Sequence, residues 1–457
     1  MSVTSDSIGD LPSSLLAMAA QAGPARIVAV DVDGPMPNLQ ADDHYRDAWV
    51  VLFKEGVPRF MVMMDLTIGT PALHRRLLQL STQSEISEVA QTDLSVLPDS
   101  SLPRISVVIP TIVSRVEDLG RCLDAIEQLD YPDFEVLLVD NRRVIPPDDP
   151  MPLLKESRPW LRVIRESRPG ISAARNAGVA QANGELIAFT DDDVRVDVHW
   201  LRVIGTRMTL DPMMGAMSGL ILPTELETPA QIWFERYFGG FGSERTFKSA
   251  TLEAAPSGRL LRGSRVLLRD SSGDEIRRFS IYGVGAYCAG ANMAFRKAAL
   301  EQFGGFDVTL GVGTPAPGGE DLVAIINIIW AGGHVGYEPA AFVYHRHRRE
   351  YGELLKQIDG YGLGFTAMLI ALIRRDRRHI LSITSQLPVA LKWKAVQGVD
   401  RVRGNQTRVT AAHPATSLYP SILFKREIWA FIRGPIAYVR SQKFWRSVTS
   451  TSPEGQA

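Results

Sequence analysis

Asp191-Asp192-Asp193 follows the apolar run Ile187-Ala188-Phe189-Thr190 without a break. Three successive carboxylates repel one another, and beside an apolar strand they are costly unless water or a cation compensates. Hard oxygen donors suit a divalent ion such as Mg or Mn, which would also grip a diphosphate. The same triplet is equally readable as a solvated turn, with one Asp capping a helix that begins near Val198. A second acidic pair, Glu320-Asp321, lies beyond the Gly/Pro-rich stretch Leu310–Gly318 and opens the apolar run Leu322–Trp330. It reads either as a helix cap or as a general base held at a pocket mouth by a mobile loop.

Weaker signals lie between and after these acids. Leu137-Leu138-Val139 runs into Asp140-Asn141, a turn or a ligand contact. In Pro169–Gly178, small residues let a helix pack closely on a sheet, and Arg175 and Asn176 near its start either reach a nucleotide or sit on the surface. The small residues of Cys288–Arg296, with Gly290 and Asn292 among them, suggest close backbone approach to a ligand or to another strand. His345 and His347 would share a face if the strand before them continues, and one could ligate a metal.

The elements that must position these residues follow from periodicity. Ile105–Ile109, Glu135–Val139, Leu161–Ile164 and Glu185–Thr190 read as strands, and Glu117–Leu129 and Ser172–Ala182 as helices, with Asn183-Gly184 as a stop. Strands alternating with helices imply a mostly parallel sheet with helices on both faces, whose ligands sit at the carboxyl ends of the strands. Upstream, Ala48–Phe53 and Arg59–Asp65 read as two strands of a small β-rich unit spanning about Arg26–Thr67, joined at Lys54–Pro58. A helix over Pro71–Val89 and a linker over Thr92–Pro103 follow. Leu363–Arg375 and Ile422–Arg440 carry apolar stripes beside Lys and Arg.

The chain has 457 residues, 45% hydrophobic and 22% charged, which excludes wholesale disorder, collagen and pure coiled coil. A net charge of -1 argues against nucleic acid as a partner. Two cysteines cannot make a disulfide framework or a four-thiolate zinc site, and they fit a reducing compartment. No secretory signal and no apolar stretch of spanning length is evident, so the expected location is cytoplasmic. Charge is uneven, however. Residues 1–100 hold 13 Asp/Glu and 6 Lys/Arg, whereas residues 344–448 hold 19 Lys/Arg and 6 Asp/Glu. The basic end would dock on an anionic membrane surface, peripheral on its inner face, or would be a helical cap with a solvated basic face.

Taken together, Ser106–Thr111, Val139-Asp140-Asn141, Ala174–Gly178, Asp191-Asp192-Asp193, Gly304–Asp307, Gly319-Glu320-Asp321 and His345 resemble, in order and spacing, the family 2 glycosyltransferases of the GT-A fold. The resemblance spans about Arg104–Arg349. It implies an α/β fold: a GT-A, Rossmann-like, mostly parallel sheet flanked by helices, with a small N-terminal β-rich unit and a helical basic C-terminal region. The expected division is 1–100, 101–350 and 351–457.

The resemblance also implies roles. Pro110, Thr111, Asp140, Arg175, Asn176, Asp191 and Asp192 would bind the donor. Asp193, the second acid of a DxD motif, and His345 would bind Mn or Mg. Asp321 would be the catalytic base, with Glu320 as its neighbour and substitute, and Gly290, Asn292 and Gly319 would lie on the acceptor side. Ile112 and Val113 replace the aromatic the family often carries after Thr111. No Gln-x-x-Arg-Trp follows the acidic pair, which favours transfer of a single sugar over processive synthesis. The implied reaction is inverting, metal-dependent transfer from a nucleotide-diphosphate-sugar to a hydroxyl of a glycan, lipid-linked or small-molecule acceptor. A nucleotidyltransferase is the alternative enzyme, but it would be expected to carry a Gly-rich basic loop after the first strand; Pro110–Glu117 has only Arg115 and no Gly. A non-catalytic carbohydrate-binding protein is the third reading.

Overall fold

The computed structural model describes residues 23–82, 97–242, 245–256, 258, 261, 263–403 and 420–450. The chain opens on a three-stranded sheet of β1 (Ala25–Asp31), β2 (Asp47–Lys54) and β3 (Val57–Asp65), followed by helix α1 (Thr70–Ser81). The β2–β3 turn is made by Glu55 and Gly56, with φ of 53° and 74°. Two successive positive φ values give the hairpin turn whose twist matches the strands. The near-continuous apolar runs are explained by burial on both faces. Val50, Leu52, Val62 and Met64 pack with Leu73, Leu77 and Leu80 of α1. Trp49, Val51, Met61 and Met63 pack on Leu220, Leu222 and Phe342 of the large sheet. The pairing of β1, parallel to β2, has no signature in the sequence reading. The expected helix over Pro71–Val89 is described only through Ser81 and Thr82; residues 83–96, which hold its end and the start of the expected linker, lie outside the described residues.

The next stretch alternates as the periodicity predicts, with one short helix, α3, that the sequence reading did not expect: β4 (Ile105–Thr111), α2 (Val116–Glu127), β5 (Phe134–Asp140), α3 (Met151–Glu156), β6 (Leu161–Arg165), α4 (Ile171–Gln181) and β7 (Leu186–Thr190). These strands run parallel in the order β6-β5-β4-β7. Alternate residues separate cleanly: Val108, Leu137, Val139, Ile187 and Phe189 enter one core, and Val107, Ile109, Val136, Leu138 and Ala188 the other. Gly178 lets α4 lie against the sheet, since a Cβ there would stand 2.4 Å from Val108 Cγ1.

Beyond β7 come β8 (Val194–Val196), α5 (Trp200–Leu210), β9 (Met214–Pro223), α6 (Pro229–Trp233), β10 (Ala250–Ala254), β11 (Arg265–Asp270), β12 (Glu275–Ser280), β13 (Asn292–Arg296), α7 (Lys297–Gln302), α8 (Glu320–Ala331) and β14 (His334–His345). They extend the sheet to 11 strands, ordered β12-β11-β10-β14-β9-β13-β7-β4-β5-β6, with β8 on β14. Most strands point the same way, but β13 inserts antiparallel between β9 and β7, and β10–β12 form an antiparallel edge. Helices α9 (Tyr351–Arg375), α10 (Arg378–Arg403) and α11 (Ser421–Ser450) close the chain.

α11 runs through Pro435. Proline has no N–H to give to the carbonyl four residues earlier. That carbonyl, of Phe431, instead accepts a 2.8 Å hydrogen bond from Thr366 Oγ1 of α9. No helix among the described residues is long and apolar enough to cross a membrane.

Candidate active site

Asp191-Asp192-Asp193 stands at the carboxyl end of β7, and the strand just after it, β8, pairs with the last residues of β14. The register sets Val194 opposite His345, so the pairing itself carries the imidazole to the acids. His345 Nε2 lies 3.3 Å from Asp193 Oδ1 and 4.0 Å from Asp191 Oδ2. One ligand atom from each of the three lies within 4.8 Å of the others. β14 ends at His345, so His347 is not on a continuing strand; its buried ring instead meets Glu235 Oε2 at 2.8 Å.

The electrostatics suit a cation. Burial, with neighbouring Asp charges adding and Arg175 opposing, pushes Asp191 up to about 6. Burial also pushes Asp192 up to about 6, against the hydrogen bond from Thr111 Oγ1 at 2.6 Å. His345 is held down to about 4, chiefly by burial, with Asp193 opposing. It is therefore neutral near pH 7 with a lone pair to offer, and its Nδ1 is buried without a hydrogen-bond partner. Arg115 reaches Asp193 from the loop after β4, and Arg348 Nη1 lies 3.9 Å from the same carboxylate. Pro110, one residue before Thr111, pairs with Val139 of β5.

Asp140 ends β5, 3% exposed, with Arg142 donating to both its oxygens at 2.9 and 2.8 Å and Arg165 at 3.2 Å. Burial raises its pKa, but the two guanidiniums hold it below the usual carboxylate range. Asn141 pins the loop before α4: its Nδ2 donates to the Glu166 and Arg168 carbonyls at 2.7 and 2.8 Å, and its Oδ1 accepts from Gly170 N–H at 3.1 Å.

Arg175, 2% exposed, joins the two acidic clusters. Its Nη1 donates to Glu320 Oε1 at 2.8 Å and its Nη2 to the Gly290 carbonyl at 3.2 Å. Nη2 also lies 3.8 Å from Asp191 Oδ1. Glu320 is buried at the start of α8, and burial and the Asp321 carboxylate push it up against the pull of Arg175. Asp321 is half-buried; its Oδ1 accepts from Leu322 N–H at 2.8 Å. A Cβ on Gly290 would stand 3.2 Å from Asp321 Oδ2 and 2.8 Å from Arg175 Nη2. Gly319 precedes the pair with φ 86° and touches α9 at Gly364 and Met368. Thus Asp193, His345, Asp191, Arg175, Glu320, Gly290 and Asp321 form one connected chain of neighbours.

Two residues expected to touch ligands are occupied by backbone. Asn176 Nδ2 donates to the Phe306 carbonyl at 2.9 Å and its Oδ1 accepts from Phe306 N–H at 2.8 Å, fastening the Gly304–Asp307 turn to α4. Asn292 is 1% exposed; its Nδ2 donates to the Leu220 and Ala341 carbonyls at 3.1 and 2.7 Å, and its Oδ1 accepts from Trp200 Nε1 at 2.9 Å. Arg142, two residues beyond Asp140, and Arg348 carry no periodic signature, and the partner of His347, Glu235, lies 112 positions away in the chain.

Comparison with known proteins matches residues 106–304 to the model "Glycosyl transferase family 2". These residues form a glycosyl transferase family 2 domain. The glycosyltransferase domain thus contains β4 through β13 and both acids of the DxD motif, whereas Glu320, Asp321 and His345 lie beyond the matched residues. The chain is 33% identical over 105 residues to glycosyltransferase AglE of Haloferax volcanii, covering 22% of this chain and 34% of that one. It is 27% identical over 194 residues to a pre-mycofactocin glycosyltransferase of Mycobacterium tuberculosis, covering 42% and 33%. The chain therefore spans about a third of the length of each of these two curated relatives. Among solved structures, it is similar to the mannosyltransferase PcManGT of Pyrobaculum calidifontis in complex with GDP-Man and Mn2+, at 16% identity over 80% of this chain and 94% of that one, TM-score 0.46.

Proposed function

We propose that the chain is an inverting, metal-dependent glycosyltransferase that moves one sugar from a nucleotide-diphosphate-sugar to an acceptor hydroxyl. The observation that carries this reading is the Asp191–Asp193–His345 set, two carboxylates and a neutral imidazole with ligand atoms within 4.8 Å. Two hard oxygens with one imidazole fit Mn or Mg. When bound, the ion would stabilise charge developing on the leaving diphosphate.

The chain's own residues supply the rest. Asp192, Thr111, Pro110 and Asp140 border the donor at the carboxyl ends of β4, β5 and β7, where ligands of such sheets bind. Asp321 takes the proton of the acceptor hydroxyl. The oxygen attacks the anomeric carbon as its bond to the diphosphate breaks on the opposite face, and the nucleoside diphosphate leaves. Glu320, buried and engaged by Arg175, anchors the guanidinium. Gly290 puts no side chain between the backbone and Asp321 on the acceptor side, while Gly319 seats the start of α8 against α9.

The test is to incubate the full chain with Mn and a panel of nucleotide sugars, following release of nucleoside diphosphate. Turnover that EDTA abolishes is the expected result. Pyrophosphate release from a sugar phosphate plus nucleoside triphosphate, with no turnover of any nucleotide sugar, would replace this reading by a nucleotidyltransferase.

A further inference from the structure

α11 presents a face that no other described residue covers. Trp429, Ile432, Ile436 and Val439 are 66%, 64%, 57% and 50% exposed. Their spacing of three and four residues puts them in one stripe along the helix. Lys425 and Lys443 bracket the stripe, about 27 Å apart along the axis at 1.5 Å per residue, and both are exposed. Arg433, Arg440 and Arg446 are exposed on its flanks. The helix has a single acidic residue, Glu427, and that one is buried. The opposite face is committed: Leu423, Ala430, Ala437 and Tyr438 are buried.

A bulky apolar stripe with a tryptophan, edged only by cations, is a poor match for a protein surface of mixed charge and a good one for lipid. Apolar side chains would enter the boundary between headgroups and acyl chains while Lys and Arg remain among anionic headgroups. We propose that this face of α11 seats the protein on an anionic membrane surface, with the helix lying in the interface plane. The same helix touches the loop that Asn141 pins before α4 and the turn that Asn176 fastens to α4. Arg168, in the loop before α4, lies over the Trp445 ring at 5.9 Å, and Tyr438 OH contacts Asp307 Oδ2 at 3.5 Å. Seating α11 therefore holds the cleft at the bilayer and favours an acceptor anchored in lipid; that last step rests on the glycosyltransferase reading, whereas the seating does not.

Co-sedimentation of the full chain with phosphatidylglycerol-containing vesicles and with neutral phosphatidylcholine vesicles tests the seating, because it needs no turnover. At least tenfold preference for the anionic vesicles, weakened by salt, is expected. The paired variant Ile432→Asp/Ile436→Asp should lose sedimentation, and Lys425→Glu/Lys443→Glu should lose the anionic preference. Both change only exposed side chains, and unchanged far-ultraviolet circular dichroism and melting would show that they fold. Absence of sedimentation by the wild-type chain would overturn the proposal. So would unchanged sedimentation of both variants, or a dimer in analytical ultracentrifugation that the Ile432→Asp/Ile436→Asp pair dissolves while vesicles are ignored.

Discussion

Arg175 and Glu320 stand 145 positions apart in the chain and meet through a 2.8 Å hydrogen bond with both side chains buried. The pair leaves two adjacent carboxylates in different surroundings, and on the proposed assignment Asp321 is the base. Glu320 spends one oxygen on the guanidinium, and its other oxygen, Oε2, is buried without a partner. Asp321, next in sequence, is half-exposed and turned toward Gly290.

Asp321→Asn should therefore lower transfer by about 10²–10⁴-fold, the usual range for a general base, while leaving nucleoside diphosphate affinity within about twofold. Steady-state turnover beside calorimetric binding checks it. Full turnover in the variant would remove Asp321 from the role.

Gly290→Ala places a methyl group 2.8 Å from Arg175 Nη2 and 3.2 Å from Asp321 Oδ2. The guanidinium or the carboxylate must move. The expected result is a fall in kcat exceeding the fall in donor affinity, with a stability loss of about 1–3 kcal/mol typical of overpacking. Chemical denaturation and single-turnover kinetics read the two effects separately.

Glu235 is fully buried between Arg245 and His347, and despite burial these partners hold its carboxyl down to about 2 from 4.5. A depressed carboxylate contributes stability that is present above its unfolded value and lost as pH falls through the folded one. The contribution, on the order of 3 kcal/mol by linkage, should thus disappear between about pH 4.5 and 2. Glu235→Gln should flatten the stability–pH curve in that window. Urea denaturation at stepped pH measures it, and an unchanged slope would contradict the assignment.

Thr366→Val removes the donor that serves the part-buried Phe431 carbonyl, at a cost of about 1 kcal/mol, the usual net worth of one hydrogen bond. Pro435→Ala restores the helical N–H to that carbonyl. In the Pro435→Ala background, Thr366→Val should cost clearly less. A double-mutant cycle by thermal denaturation compares the two.

The sequence was most informative where structure is local. The four strands from Ile105 to Thr190 and helices α2 and α4 are each set by their own periodicity, and the DxD acids sit at the strand end that alternation predicts. What it could not deliver is the meeting of distant parts. β13 enters antiparallel between β9 and β7, and β8 pairs with β14 across roughly 150 residues; neither is marked by any nearby pattern. The assignment of Asn176 and Asn292 to ligands had the same weakness. An amide in a small-residue stretch reads alike whether it faces a sugar or a backbone, and here both hold backbone. Asp191 shows the reverse: read as a donor contact, it shares the cluster with Asp193 and His345 because β14 brings the imidazole between them.

The central claim is that the β7 acids and the β14 imidazole act as one metal site serving the diphosphate. Calorimetric titration of a nucleoside diphosphate into the full chain, with Mn and with EDTA, on wild type, Asp193→Ala and His345→Ala tests it most directly. The account predicts Mn-dependent binding by wild type that weakens at least tenfold in each variant. Equal affinity with and without Mn, or binding unmoved by both substitutions, would contradict it.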